Sequence, residues 1–113
     1  MGSLLERSIR FGMREDFEAD GTLRLALSGE LDLSVAQALA DRLMRLRDEG
    51  YAVRVDLSQL EFIDSSGLRE LIGAASQARH DGGQLEIDPE LSEPVQRAID
   101  IAGVGPQFWP DLG

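Results

Sequence analysis

With 113 residues, the chain has length for one domain, which would bury about two thirds of its unfolded surface. A composition of 42% hydrophobic and 28% charged residues belongs to a folded globular protein and excludes a disordered one. Acidic side chains outnumber basic ones 21 to 11, a net charge of −10, which argues against nucleic acid because phosphates need basic patches.

What is missing removes further chemistries. There is no cysteine, so disulfides, thiolate nucleophiles and cysteine metal sites are excluded. Every basic residue is arginine, which leaves no lysine for a Schiff base or a phosphate-loop contact. His80 is the only histidine, too few for a histidine zinc site. No cofactor and no metal are expected. No apolar run approaches the roughly 20 residues that cross a bilayer, so membrane insertion is not expected. The opening Met1-Gly2-Ser3-Leu4-Leu5-Glu6 is too short in hydrophobic length for a signal peptide, and the expected location is cytoplasmic.

Phe11 to Glu18 has strand character and is followed by an Ala19-Asp20-Gly21 turn. Leu23, Leu25 and Leu27 alternate with Arg24, Ala26 and Ser28, the period of a half-buried strand that Gly29 should break. So short a turn predicts an antiparallel pair. Ser34 to Gln37 reads as a capping box, with Val35, Leu39, Leu43 and Leu46 on one helical face and Gly50 as the stop. Asp41 and Arg45 are spaced for a surface pair.

Val53, Val55 and Leu57 predict the next strand, and Leu68, Leu71, Ile72 and Ala75 a second helical stripe ending at Asp81-Gly82-Gly83. Leu85 and Ile87 predict a short strand ended by Pro89. Ser92 reads as the cap of a third helix, with Pro94 in its first turn and Val95, Ala98, Ile99 and Ala102 facing the core. The tail through Phe108 and Trp109 has room for a very short last strand. The fold class is α/β, a single domain in the order β-β-α-β-α-β-α with a possible final β. Strands alternating with helices require crossovers, so the central sheet should be mixed with helices packed on it. Residues 1–10 read as an N-terminal extension and 11–113 as the domain.

The informative stretch runs from Val55-Asp56-Leu57-Ser58 to Phe62-Ile63-Asp64-Ser65-Ser66-Gly67-Leu68. A strand leads into two hydroxyls where a helix begins, and a helix N-terminus suits an anion such as a phosphate on Ser65 or Ser66. Asp64 would oppose such a phosphate by like-charge repulsion. Ordinary turn and capping chemistry explains the same four residues, Asp64 to Gly67. Leu27-Ser28-Gly29-Glu30-Leu31-Asp32 is a second strand-to-turn segment ending in an acid before a helix. In an α/β sheet such ends share a rim, which would bring Asp32 and Ser65 to one surface.

These segments closely resemble a STAS domain, over about Phe11 to Trp109, and within that family the bacterial anti-sigma factor antagonists. The resemblance implies a switch rather than a catalyst. The first serine of the Asp-Ser-Ser-Gly motif, here Ser65, would be phosphorylated by an anti-sigma factor that is also an ATP-dependent serine kinase. The unphosphorylated form would bind that anti-sigma factor and free a sigma factor, and a metal-dependent serine phosphatase would restore it. Asp32 would lie in the partner-contacting surface, and Asp64, Ser66 and Gly67 complete the motif. Such domains usually continue into a strand and a last helix beyond the third, and that helix is not evident before Pro110-Asp111-Leu112-Gly113.

Other residues read blandly. His80 is a cation at a helix C-terminus, and Arg42, Arg45 and Arg47 form a solvated face. Phe108 and Trp109 are packing residues for the sheet. A soluble accessory subunit regulating a membrane transporter is the alternative function. An enzyme ranks last, because a nucleophilic serine needs a base and the only imidazole lies a helix length beyond Ser65. Whether Ser65 or Ser66 takes the phosphate, and the oligomeric state, are open at this point.

Overall fold

A computed structural model describes residues 10–110. All but Arg10 of the expected N-terminal extension, and Asp111–Gly113 of the expected domain, lie outside those described residues. The chain forms β1 (Phe11–Phe17), β2 (Leu23–Leu31), α1 (Leu33–Asp48), β3 (Val53–Ile63), α2 (Ser65–Asp81), β4 (Leu85–Leu91), α3 (Glu93–Ala102) and a single turn, α4 (Gly105–Phe108). The sheet order is β1-β2-β3-β4. β1 runs antiparallel to β2, while β2–β3 and β3–β4 are parallel, the mixed sheet that the alternation of elements required. Among the described residues no helix is long and apolar enough to cross a membrane.

Period-2 alternation decides which face is core. Leu23, Leu25 and Leu27 of β2 and Val53, Val55 and Leu57 of β3 are buried together with Leu39, Leu43 and Leu46 of α1 and Leu68, Leu71 and Ala75 of α2. Apart from Ala26, the intervening side chains are polar. There Arg24 is a hub that reaches Glu18 at 2.9 Å, Asp56 at 3.2 Å and Asp88 at 3.1 Å, so one guanidinium serves three carboxylates from three parts of the sheet. On the core side of β1, Glu15 pairs with Arg42, which ties α1 to the strand beneath it.

Several local expectations are corrected. Gly29 does not end β2: at φ 80° it occupies the left-handed region beside a register shift against β3, and the strand continues to Leu31. Asp32, not Ser34, caps α1, because the Asp32 side chain takes the Ser34 amide. Asp41 accepts from Gln37 at 2.8 Å. Pro89 lies inside β4, an edge strand whose pairing with β3 is already irregular beyond Ile87, where a missing donor costs little. Ser92 is the N-cap of α3 by position, but its hydroxyl donates to the Leu60 carbonyl at 2.5 Å and so fastens α3 to β3. The tail forms α4 where the sequence left room for a very short strand. Phe108 is buried in the core, and Trp109 Nε1 donates to the Ile87 carbonyl at 2.7 Å.

Candidate functional site

The C-terminal ends of β2 and β3 are neighbours, with Leu31 opposite Ile63, and each strand is followed at once by an aspartate that caps a helix. Both caps have extended backbone, φ −128° at Asp32 and −104° at Asp64, which turns the chain from strand into helix. Asp32 Oδ1 accepts from the Ser34 amide at 3.0 Å and the Ser34 hydroxyl at 2.6 Å. The Ser34 hydroxyl, with the amide beside it and the Arg10 charge beyond, holds the Asp32 carboxyl below the usual aspartate range despite partial desolvation.

Asp64 joins the two turns. Its Oδ1 accepts from the Gly67 amide at 3.0 Å, the ordinary cap of its own helix. Its Oδ2 accepts from the Leu33 amide at 3.1 Å, the first residue of the other helix. The Asp64 amide in turn donates to the Leu31 carbonyl at 3.1 Å. Two helix N-termini are thereby fixed side by side by one carboxylate, and the Asp32 and Ser65 segments share one rim.

The four residues of the motif divide by burial. Ser65, the first residue of α2, is exposed, Ser66 is half-buried, and Gly67 is buried. A Cβ at Gly67 would stand 2.7 Å from Leu31 Cγ, 2.9 Å from Ile63 Cγ1 and 2.9 Å from the Leu31 carbonyl oxygen. The glycine lets α2 start hard against the ends of β2 and β3, so its part in the site is to position Ser65. Asp64 is likewise occupied with backbone amides. Asp32, Ser65 and the exposed part of Ser66 form the reachable polar surface.

Two apolar residues missed by the sequence reading flank this surface. Leu33, directly after Asp32, is 74% exposed, and Phe62, three residues before Ser65, is 48% exposed. Exposed large apolar side chains beside a polar rim are the composition of a protein-contact patch. The available signal was that Phe62 stands near the end of β3 between the buried Leu60 and Ile63, and that Leu33 precedes the α1 stripe. On the far side of Asp32 a crevice of about 240 Å³ is lined by Arg10, Phe11, Glu30, Ser34 and Val35, with Arg10 and Glu30 3.9 Å apart.

His80 is exposed in the last turn of α2, at the opposite end of that helix from Ser65. Of the three α1 arginines, two are engaged: Arg42 with Glu15, and Arg47 with Asp81 of α2.

Comparison with known proteins gives the same assignment from several directions. The family model described as "Mlab, STAS domain" matches residues 16–106. The anti-sigma-B factor antagonist of Bacillus subtilis is 29% identical over 85 residues, spanning 75% of this chain and 77% of the relative. The anti-sigma F factor antagonist of Paenibacillus polymyxa is 31% identical over 87 residues, spanning 74% and 73%. Among solved structures, an anti-sigma factor antagonist from Mycobacterium paratuberculosis shares the fold with a TM-score of 0.70 at 23% identity, over 88% of this chain and 83% of that one. A mixed four-stranded sheet, two aspartate-capped helices on one rim and a family match across most of the length lead to one conclusion: the chain belongs to the STAS family.

Proposed function

We propose that this chain is an anti-sigma factor antagonist, a regulatory binding protein rather than an enzyme, whose binding is switched off by a phosphate on Ser65. The observation that carries the reading is the exposed Ser65 at the first position of α2, on a rim that Asp64 ties to the Asp32 turn. The names of the Bacillus subtilis and Paenibacillus polymyxa relatives supply the partner class, an anti-sigma factor. In this reading the anti-sigma factor is also the serine kinase, a serine phosphatase reverses the modification, and the exchange takes place in the cytoplasm. The accessible serine is favoured over half-buried Ser66, because a kinase must bring the hydroxyl into its own active site.

The physics of the switch is local. A phosphate adds nearly two negative charges and would normally gain from the amides of a helix N-terminus. Here the Gly67 amide already serves Asp64, and the charge would arrive beside Asp64 and near Asp32, on a chain of net charge −10. Repulsion and loss of close contact at Leu33 and Phe62 outweigh any ordering effect, so the modified rim blocks a partner without refolding the domain. A regulatory coupling of about 1–3 kcal/mol changes affinity by roughly 5–150-fold.

The test is a pull-down from native-host lysate with wild type and Ser65→Asp, read by mass spectrometry. The proposal expects the wild type to retain an anti-sigma factor with a kinase domain and the variant to release it. Retention of the same transporter subunits by both forms would replace the proposal with the accessory-subunit reading.

A further inference from the structure

At the pole opposite the Ser65 rim, a cleft of about 550 Å³ opens between the C-terminal halves of α1 and α2, above the beginnings of β3 and β4. Its floor is apolar, built from Leu43, Val53, Ala78 and Leu85, and the exposed side chains of Met44 and Tyr51 stand at its mouth. The volume falls within the roughly 300–1,000 Å³ of small-molecule sites.

Gly73 is the second observation. It sits in the interior of α2 and lines the cleft. Glycine there costs the helix roughly as much as a lost packing contact would, and no close approach compensates, since a Cβ at Gly73 would meet nothing within 4 Å. This contrasts with Gly67 on the same helix, which its neighbours demand. What the absent side chain at 73 does is keep the space between the helices open.

We infer that this cleft binds a small aromatic molecule that carries no negative charge. Its walls are the C-terminal halves of two helices, whose dipoles present negative ends, on a chain of net charge −10, so an anion is disfavoured. The one guanidinium at the rim, Arg47, is already bonded to Asp81, which also accepts from Gln77 at 3.0 Å. With no free guanidinium among the lining residues and the Glu70 carboxylate on the α2 wall, what is left to hold a ligand is apolar area, the Tyr51 ring and the Met44 thioether, which favour a flat ring without negative charge. Gln84 at the edge offers one amide for a polar substituent.

Nile red, a neutral aromatic dye, is the probe. The wild-type protein should bind it saturably at one per chain with a blue shift in emission. Gly73→Leu, which fills the space, should weaken binding at least tenfold while circular dichroism and thermal midpoint show a folded protein. Met44→Glu, at an exposed position, supplies a second variant that should also weaken binding. Non-saturable dye uptake by the wild type, or equal binding by both variants, overturns the inference. So does a stoichiometry of one dye per two chains with a dimer in sedimentation, which would seat a second copy on this face.

Discussion

The same substitution at two glycines of one helix should have opposite effects, and the structure sets both signs. Gly67→Ala and Gly73→Ala each remove the entropic cost of glycine in a helix, a gain of roughly 0.5–1 kcal/mol. At Gly73 nothing stands within 4 Å of the new methyl group, so the gain is kept. At Gly67 the methyl group would meet Leu31 Cγ at 2.7 Å, Ile63 Cγ1 at 2.9 Å and the Leu31 carbonyl at 2.9 Å. Leu31 is fully buried, and its carbonyl already accepts from the Asp64 amide, so relief must come from movement of the β2 end itself. Overpacking of that kind costs about 1–3 kcal/mol, and the backbone contact puts this case in the upper half of the range, a net loss of about 1–2 kcal/mol. For 113 residues, unfolding entropy converts 1 kcal/mol to about 4 °C. Gly67→Ala should therefore lower Tm by about 4–8 °C, and Gly73→Ala should raise it by about 2–4 °C. Urea unfolding with a common m-value, alongside calorimetry, measures both. A Gly67→Ala protein as stable as wild type, or a destabilised Gly73→Ala, would refute the reasoning.

Two other outcomes follow from the charged groups. Among the described residues, Arg24→Met leaves Asp56 and Asp88 without a cationic partner and Glu18 with Arg54 alone at 3.4 Å, and the side chains of these three acids and of Arg24 are all less than one third exposed. The loss should lie between that of exposed and fully buried pairs, about 2 kcal/mol, and should shrink in high salt as repulsion among the three carboxylates is screened; a urea midpoint equal to wild type at low salt would contradict the hub. Acid should destabilise the fold. Glu15 by Arg42, Asp20 by Thr22, Asp32 by Ser34 and Asp81 by Gln77 are held below their ordinary values. At Asp56 burial pushes upward, but Ser58 and Arg24 outweigh it, and the shift is again downward. Because each folded value lies below the unfolded one, the stabilisation is present above about pH 4 and lost as pH falls through the folded values. A urea midpoint that did not fall between about pH 6 and pH 3 would exclude this linkage.

The parts of the fold legible in the sequence were those set by periodicity. The β2 and β3 alternations and the α1 and α2 stripes needed only hydrophobic spacing, and the rim shared by Asp32 and Ser65 followed from parallel strands and their crossovers. What escaped was decided by partners far along the chain. Asp32 won the α1 cap from Ser34 because β2 continued through Gly29, and a positive φ inside a strand leaves no local mark beyond the glycine itself. Pro89 looked like a strand end because an edge position, where its missing donor is harmless, is a property of the sheet. The bond from Leu33 to Asp64 joins residues 31 positions apart, and the buried status of Gly67 depends on Leu31, so the motif could be recognised but not divided into reachable and supporting residues. The cleft beside Gly73 arises from the spacing of two helices, which no residue pattern states.

The most direct measurement is the affinity of the host's anti-sigma factor for this protein with and without phosphate on Ser65, by calorimetry, with tandem mass spectrometry locating the phosphate. The account predicts an affinity lowered by roughly 5–150-fold and spectra of the unbound forms that differ only near Asp32, Asp64 and Ser65. Equal affinities, or a phosphate that maps to Ser66 while Ser65 is unmodified, would contradict it.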